Sequence, residues 1–245
     1  MKYLDEYAIK ARLYPVAITM LPLVSIVVSW QSNELASMKT FIATVMSFGG
    51  GILLTQLGRD AGKSRQNLLF EKWGGKPTTL MLRYSGTNTE EFVDRLHLNI
   101  SAVIPDIALP TKDDELCDKN RADRMYDVAV NAIIERTRDN SKYTLLFREN
   151  CNYGFRRNLW GLKKLGITIS SLGSMAVAIM FFYTLYNSQL QNIDVIHVSS
   201  LALNLLLLYI WISTVSTNWV KTVADAYAYR LLGTTEVLAD NMKES

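Results

Sequence analysis

The sequence predicts an all-α membrane protein in which four transmembrane helices carry a mostly helical cytosolic domain inserted between the second and third. Three observations lead there. Hydrophobic residues make up 49% of the 245-residue chain and charged residues only 20%, with a mean hydropathy just above zero, where a soluble chain of this size would ordinarily fall below it. Four long runs contain no Asp, Glu, Lys or Arg. The Lys and Arg residues gather at some ends of those runs and are missing from others. The net charge of +3 does not by itself require a nucleic-acid partner, so the placement of the charges matters more than their sum.

The four runs are residues 13–30 (LYPVAITMLPLVSIVVSW), 40–57 (TFIATVMSFGGGILLTQL), 166–186 (GITISSLGSMAVAIMFFYTLY) and 196–217 (IHVSSLALNLLLLYIWISTVST). Each meets the requirement of about 20 apolar residues for crossing a bilayer as a helix. The first is longer than the apolar part of a signal peptide, and no small-x-small cleavage site follows Trp30, so it reads as a retained helix. Pro15 is expected in its first turn, where a missing N–H costs little, and Pro22 predicts a kink.

Links 31–38 and 187–195 have no Lys or Arg, whereas Lys2, Lys10, Arg12, Arg59, Lys63, Arg65, Arg156, Arg157, Lys163, Lys164 and Lys221 flank the other ends. The positive-inside rule therefore puts both termini and the middle of the chain in the cytoplasm. On that reading the sequon at Asn99 carries no sugar. Cys117 and Cys151 are reduced thiols, and two His with two Cys at scattered positions make no metal cluster. The expected division is 1–57 (tail and helices 1 and 2), 58–165 (cytosolic regulatory domain), 166–220 (helices 3 and 4) and 221–245 (cytosolic tail).

Within the insert, a helix is expected to run out of the second span to about Trp73, where Gly74-Gly75 ends it and Lys76-Pro77 blocks continuation. Residues 78–84 have strand-like or short helical content, and Ser85-Gly86-Thr87-Asn88 forms a turn. Thr89 is an N-cap with Glu90 and Glu91 in the first turn. Residues 104–114 read as a loop, 113–138 as one amphipathic helix, and 143–164 as a helix running into the third span with Gly154 as its weak point.

Two groups of residues are candidates for function. Arg59, Lys63, Arg65, Arg83, Arg156 and Arg157 form a basic set that can hold an anionic ligand, since guanidinium forks bind phosphate in bidentate fashion. Trp73, Tyr84, Tyr153, Phe155 and Trp160 can stack bases beside it, with ordinary packing as the competing role. Contact with lipid headgroups is the plainer role for the cations. The run Gly58 to Ser64 is one residue short of a phosphate-binding GxxxxGKS loop and follows an apolar helix instead of a strand, which argues against ATP hydrolysis. In the spans, Gly49, Gly50 and Gly51 suggest close helix packing or a gate. Asn204, Trp211 and Asn218, with Ser200, Thr214 and Lys221, recur on one side of the fourth span as a pore lining in an oligomer, or as packing within one chain. No catalytic constellation or cofactor motif stands out, so no enzyme is expected.

The runs RDAGKSRQNLLFEKWGGKPTTLMLRY (59–84) and YGFRRNLWGLKK (153–164), with the two-plus-two layout of spans, resemble a family of bacterial four-helix anti-phage membrane effectors of the Hailong type. The resemblance implies a homo-oligomeric channel, such as a tetramer, in the bacterial inner membrane. It further implies control by a nucleotide or short single-stranded DNA signal, a companion nucleotidyltransferase, and depolarisation of the infected cell. A small-substrate transporter and a membrane scaffold for a partner protein are the competing functions. No repeat between the halves supports the first of these.

Overall fold

The structure is a computed structural model and describes residues 5–29, 51–186 and 195–243. Most of the expected second span, with Gly49 and Gly50, lies outside the described residues, as do both short links. Among the described residues every regular element is helical. The chain forms two compact units, Met1–Gln66 with Gly154–Val220, and Asn67–Tyr153 with Lys221–Ser245.

In the first unit, a π-helical stretch (Ala8–Leu13) leads into α1 (Tyr14–Ser29). Helix α2 (Gly51–Lys63) packs on that stretch and on α1. The unit also holds α8 (Thr144–Tyr186) from Gly154 onward, α9 (Val195–Tyr209) with a π-helical continuation (Ile210–Thr214), and the first residues of α10 (Thr217–Lys243). Helix α9 packs along α1. Three helices are long and apolar enough to cross a membrane, within Ala8–Ile26, Thr144–Tyr183 and His197–Thr214. Leu23, Leu53, Leu172, Met175, Ile179, Phe182, Leu206 and Ile212 are exposed on this unit. Apolar surface on that scale marks an interaction surface, here one suited to lipid.

Pro15 is not in a first turn, because helical backbone already begins before it at Glu6. The π-helical stretch absorbs the difference. Tyr14 N–H donates to Ile9 O, a five-residue spacing, and Pro15 has no N–H to offer the Ala11 carbonyl four residues back.

The second unit holds α3 (Gln66–Trp73) from Asn67, α4 (Pro77–Leu82), α5 (Glu90–Val103), α6 (Lys112–Cys117), α7 (Lys119–Arg136), the start of α8, and α10 from Lys221. Gly74 and Gly75 end α3 with φ of 80° and 152°, a backbone only glycine adopts without strain, and Pro77 opens α4 at a position where no N–H is needed. Residues 78–84 are therefore helical over most of their length. The amphipathic stretch 113–138 is two helices, because Thr111 caps α6 in a reciprocal capping box with Asp114 and Asp118 caps α7 by accepting from Arg121 N–H. The core comprises Leu82, Leu96, Ile100, Val103, Tyr126, Ala129, Ile133, Leu146, Leu231 and Leu232. Two of these come from α10, so the segment expected as a tail is part of a folded core. The boundaries at Gln66 and Tyr153 also differ from the expected 58 and 165, since the basic segments beside the apolar helices pack into the first unit.

Candidate functional site

In the first unit the basic residues stand on glycine-mediated helix contacts. A Cβ at Gly58 would strike the Arg12 carbonyl and Val16, one at Gly62 would strike Asn158, and one at Gly161 would strike the Ala61 backbone. One at Gly154 would meet the Tyr7 hydroxyl and Ala11. Gly58 and Gly62 form a GxxxG pair, the pattern that lets helix backbones approach closely. Helix packing thus accounts for both glycines of the Gly58 to Ser64 run. Gly154, far from weakening α8, seats it against the N-terminal segment.

Most of the predicted cations are engaged inside this unit. Arg65 Nη1 donates to Gly161 O at 2.8 Å. Arg156 Nη1 donates to Trp219 O at 2.8 Å, and its guanidinium lies 4.6 Å from the Trp219 ring centroid. Arg157 donates to Gln66 Oε1 at 2.9 Å and, through Nε and Nη2, to Asn158 Oδ1. Lys163 donates to the carbonyls of Val215 and Ile212, at the break between α9 and α10. Among the described residues Arg59 reaches only Gln56, at 3.5 Å, and Lys63 is exposed. These two remain the most available of the set for an anion.

Asn158, which sequence reasoning overlooked, is the fully buried centre of this arrangement. Its Nδ2 donates at 2.6 Å to Ala11 O, the carbonyl that Pro15 leaves without its helical donor. One α8 side chain thus repairs the irregular backbone ahead of α1, and Lys163, also on α8, does the same after α9. The Pro15–π-helix relation was the only sequence signal, and it becomes readable only when the partner helix is known.

The expected pore lining is taken up within one chain. Trp211 is 1% exposed and lies against Gly166, where a Cβ would collide with the indole. Asn204 is 0% exposed, donates to Ser25 Oγ and Ser200 O at 2.7 Å each, and sits over Gly173. Ser200 Oγ donates to Ser25 O. Gly166 and Gly173 on α8 therefore receive Trp211, on the π-helical continuation of α9, and Asn204, on α9, in antiparallel register, seven residues apart on each side. Packing accounts for Ser200, Asn204 and Trp211, whereas Thr214 and Asn218 are exposed. Gly51 opens α2.

Arg83 belongs to the second unit, apart from the other five cations. Its Nε and Nη2 grip Asp123 at 2.7 Å each, and Nη1 donates to Gly74 O at 3.0 Å. The bond to Asp123 raises its pKa despite burial. Beside it, Glu115 is 4% exposed and accepts from Tyr84 N–H, Ser85 N–H, Ser85 Oγ and Tyr126 Oη at 2.6–3.0 Å. Burial pushes the Glu115 carboxyl up, but these donors outweigh it and hold it below the usual carboxylate range. His97 is held neutral by burial, its pKa lowered although Nε2 meets Leu82 O at 2.9 Å. Burial, then the bond to Asp94, pushes the Tyr84 phenol up to about 12. This network staples the 83–86 turn between α4 and α5. With its groups satisfied, it is built for structure and not for proton transfer.

The aromatic residues expected beside the cations are also packed. Tyr153 stacks with Tyr227 at 6.1 Å, Trp73 lies 6.1 Å from Phe70, and Phe155 and Trp160 pad the first unit's core. A separate groove of about 260 Å³ opens between α5 and α10 in the second unit, bordered by Phe92, Arg95, Asn99, Tyr229, Arg230 and Gly233. No family model, curated protein or solved structure matches the chain.

Proposed function

We propose that the chain is a ligand-controlled membrane effector. Four transmembrane helices assemble into a homo-oligomeric ion channel in a bacterial plasma membrane, with both termini and the intervening region cytoplasmic. A nucleotide-derived anion, such as a short single-stranded DNA, binds on the cytosolic side and sets conduction, so that opening depolarises a phage-infected cell.

The observation that carries this reading is helix α8. It is an uninterrupted helix of 43 residues, about 65 Å long at 1.5 Å per residue, whereas about 20 residues cross a bilayer. Its first residues help build the second unit and its last carry the apolar window. Helix α10 likewise contributes to both units. A change of state in the second unit therefore has one continuous helix, α8, that also carries an apolar window. A ligand gates only by its difference in affinity for the two states.

The anion site in this reading centres on Arg59 and Lys63, the least engaged of the cations. The test is conductance of the purified protein in liposomes, with and without oligonucleotide, beside salt-dependent oligonucleotide binding. Conductance altered by the oligonucleotide supports the reading. Liposomes that stay tight under every condition, together with no salt-sensitive binding, would sink it.

A further inference from the structure

We propose that the groove between α5 and α10 is a binding site for a small planar aromatic ring bearing an anionic group. The starting observation is a glycine without a packing reason. Gly58, Gly62, Gly154, Gly161, Gly166 and Gly173 all lie in helices, and at each an added Cβ would come within 3 Å of another part of the chain. Gly233 lies well inside α10 with helical backbone, yet a Cβ there would meet nothing within 4 Å. Among the described glycines in helix interiors it is the exception. Glycine inside a helix costs stability relative to alanine, and here nothing in the chain needs the space it leaves. The space opens on the groove, so an occupant that approaches the α10 backbone supplies the missing reason.

The groove walls state what that occupant is. Tyr229, 59% exposed, and Phe92 hold their rings within 1° of parallel with centroids 6.5 Å apart, a stack whose exposed member can extend to a third ring. Arg230 is exposed and has no ion pair among the described residues. Arg95 has only an exposed contact with Glu236 at 3.7 Å, which an incoming anion can replace at little cost. Two guanidinium groups beside an aromatic stack select a ring with a phosphate or a carboxylate over a neutral ring. The Asn99 side chain, half-buried at the same wall, offers a donor and an acceptor to a polar ring edge. A volume of about 260 Å³ suits one ring system with a short polar arm and not a folded partner. Binding here involves the second unit alone and is independent of whether the apolar helices conduct ions.

The test is calorimetric titration of the full-length protein in detergent with four probes. Adenosine 5′-monophosphate carries ring and phosphate, and indole-3-acetate carries ring and carboxylate. Adenosine lacks the anion, and ribose 5-phosphate lacks the ring. Saturable binding of either or both anionic aromatics is expected, with adenosine and ribose 5-phosphate at least tenfold weaker. Which aromatic binds identifies the anionic group. Arg230→Ala and Tyr229→Ala should each weaken binding at least tenfold. Gly233→Leu should abolish it while leaving the melting temperature unchanged or higher, because the added side chain projects into open space on a helix. The proposal is overturned if neither anionic aromatic binds, if Gly233→Leu binds as the parent does, or if Gly233→Leu instead lowers the mass of the assembly, which would make the occupant a second copy of the chain.

Discussion

The two units solve the same problem, helix against helix, with different chemistry. In the first, backbones approach through glycine, and polar side chains are spent on carbonyl groups: Asn158 on Ala11, Lys163 on Val215, Arg156 on Trp219, Arg65 on Gly161. In the second, Leu, Ile and Tyr side chains meet in a conventional core, Arg83 pairs with Asp123, and the Glu115 carboxylate is held by amide and hydroxyl donors. The difference follows from the surroundings each composition suits. Lipid supplies no hydrophobic drive between apolar helices, so close packing and hydrogen bonds must hold them. In water, burial of apolar surface does most of that work.

That contrast can be broken by substitution. The largest effect is expected at Glu115. Removing its carboxylate leaves two amides and two hydroxyls without their acceptor, and Glu115→Ala should destabilise the second unit by roughly 3–5 kcal/mol. Hydrogen exchange at the Tyr84 and Ser85 amides, both of which donate to Glu115 in the parent, should accelerate. Unchanged protection there would mean that the network does not hold the turn.

Next come the glycines of the first unit. Gly161→Ala forces its Cβ into the Ala61 backbone, which has no rotamer to escape by, and overpacking of this kind costs about 1–3 kcal/mol. Thermal unfolding in detergent should show the loss. Asn158→Leu should cost a similar amount, about 1–3 kcal/mol, by orphaning the Ala11 carbonyl. If Pro15→Ala is added, the new N–H can serve that carbonyl, and the double variant should recover part of the loss. Failure to recover would separate Asn158 from the proline.

Acidification should act on the second unit through His97 and then Glu115. The folded His97 pKa is lowered, so the unfolded chain takes up a proton first, and stability is complete above about pH 6.5 and falls as pH drops below it. The Glu115 carboxyl is also lowered, so its contribution is complete above the ordinary carboxylate value near pH 4.5 and is lost only as pH falls through its lower folded value. Urea unfolding between pH 7 and 5 should therefore show a decline that His97→Gln flattens. The smallest effect sharpens the glycine comparison. Gly233→Ala should stabilise by about 0.5–1 kcal/mol, opposite in sign to Gly161→Ala, since it raises helix propensity without a collision.

The sequence by itself determined the elements. Charge-free runs set where apolar helices lie, Gly74-Gly75-Lys76-Pro77 set the end of α3 and the start of α4, and α5 begins after Thr89 with Glu90 and Glu91 in its first turn, although the Thr89 side chain makes no capping bond. These are local matters of hydropathy, φ and capping, so they can be read without knowing any neighbour. Tertiary structure alone decided what the side chains do. Arg83 had the composition of a ligand contact until Asp123, forty residues on, claimed it. Asn204 and Trp211 had the spacing of a pore stripe until Gly173 and Gly166 received them. Asn158 gave no signal until Pro15 left a carbonyl within its reach. A charged or polar group is committed by the partner that folding brings to it, and partners distant in the chain leave no mark on the local pattern.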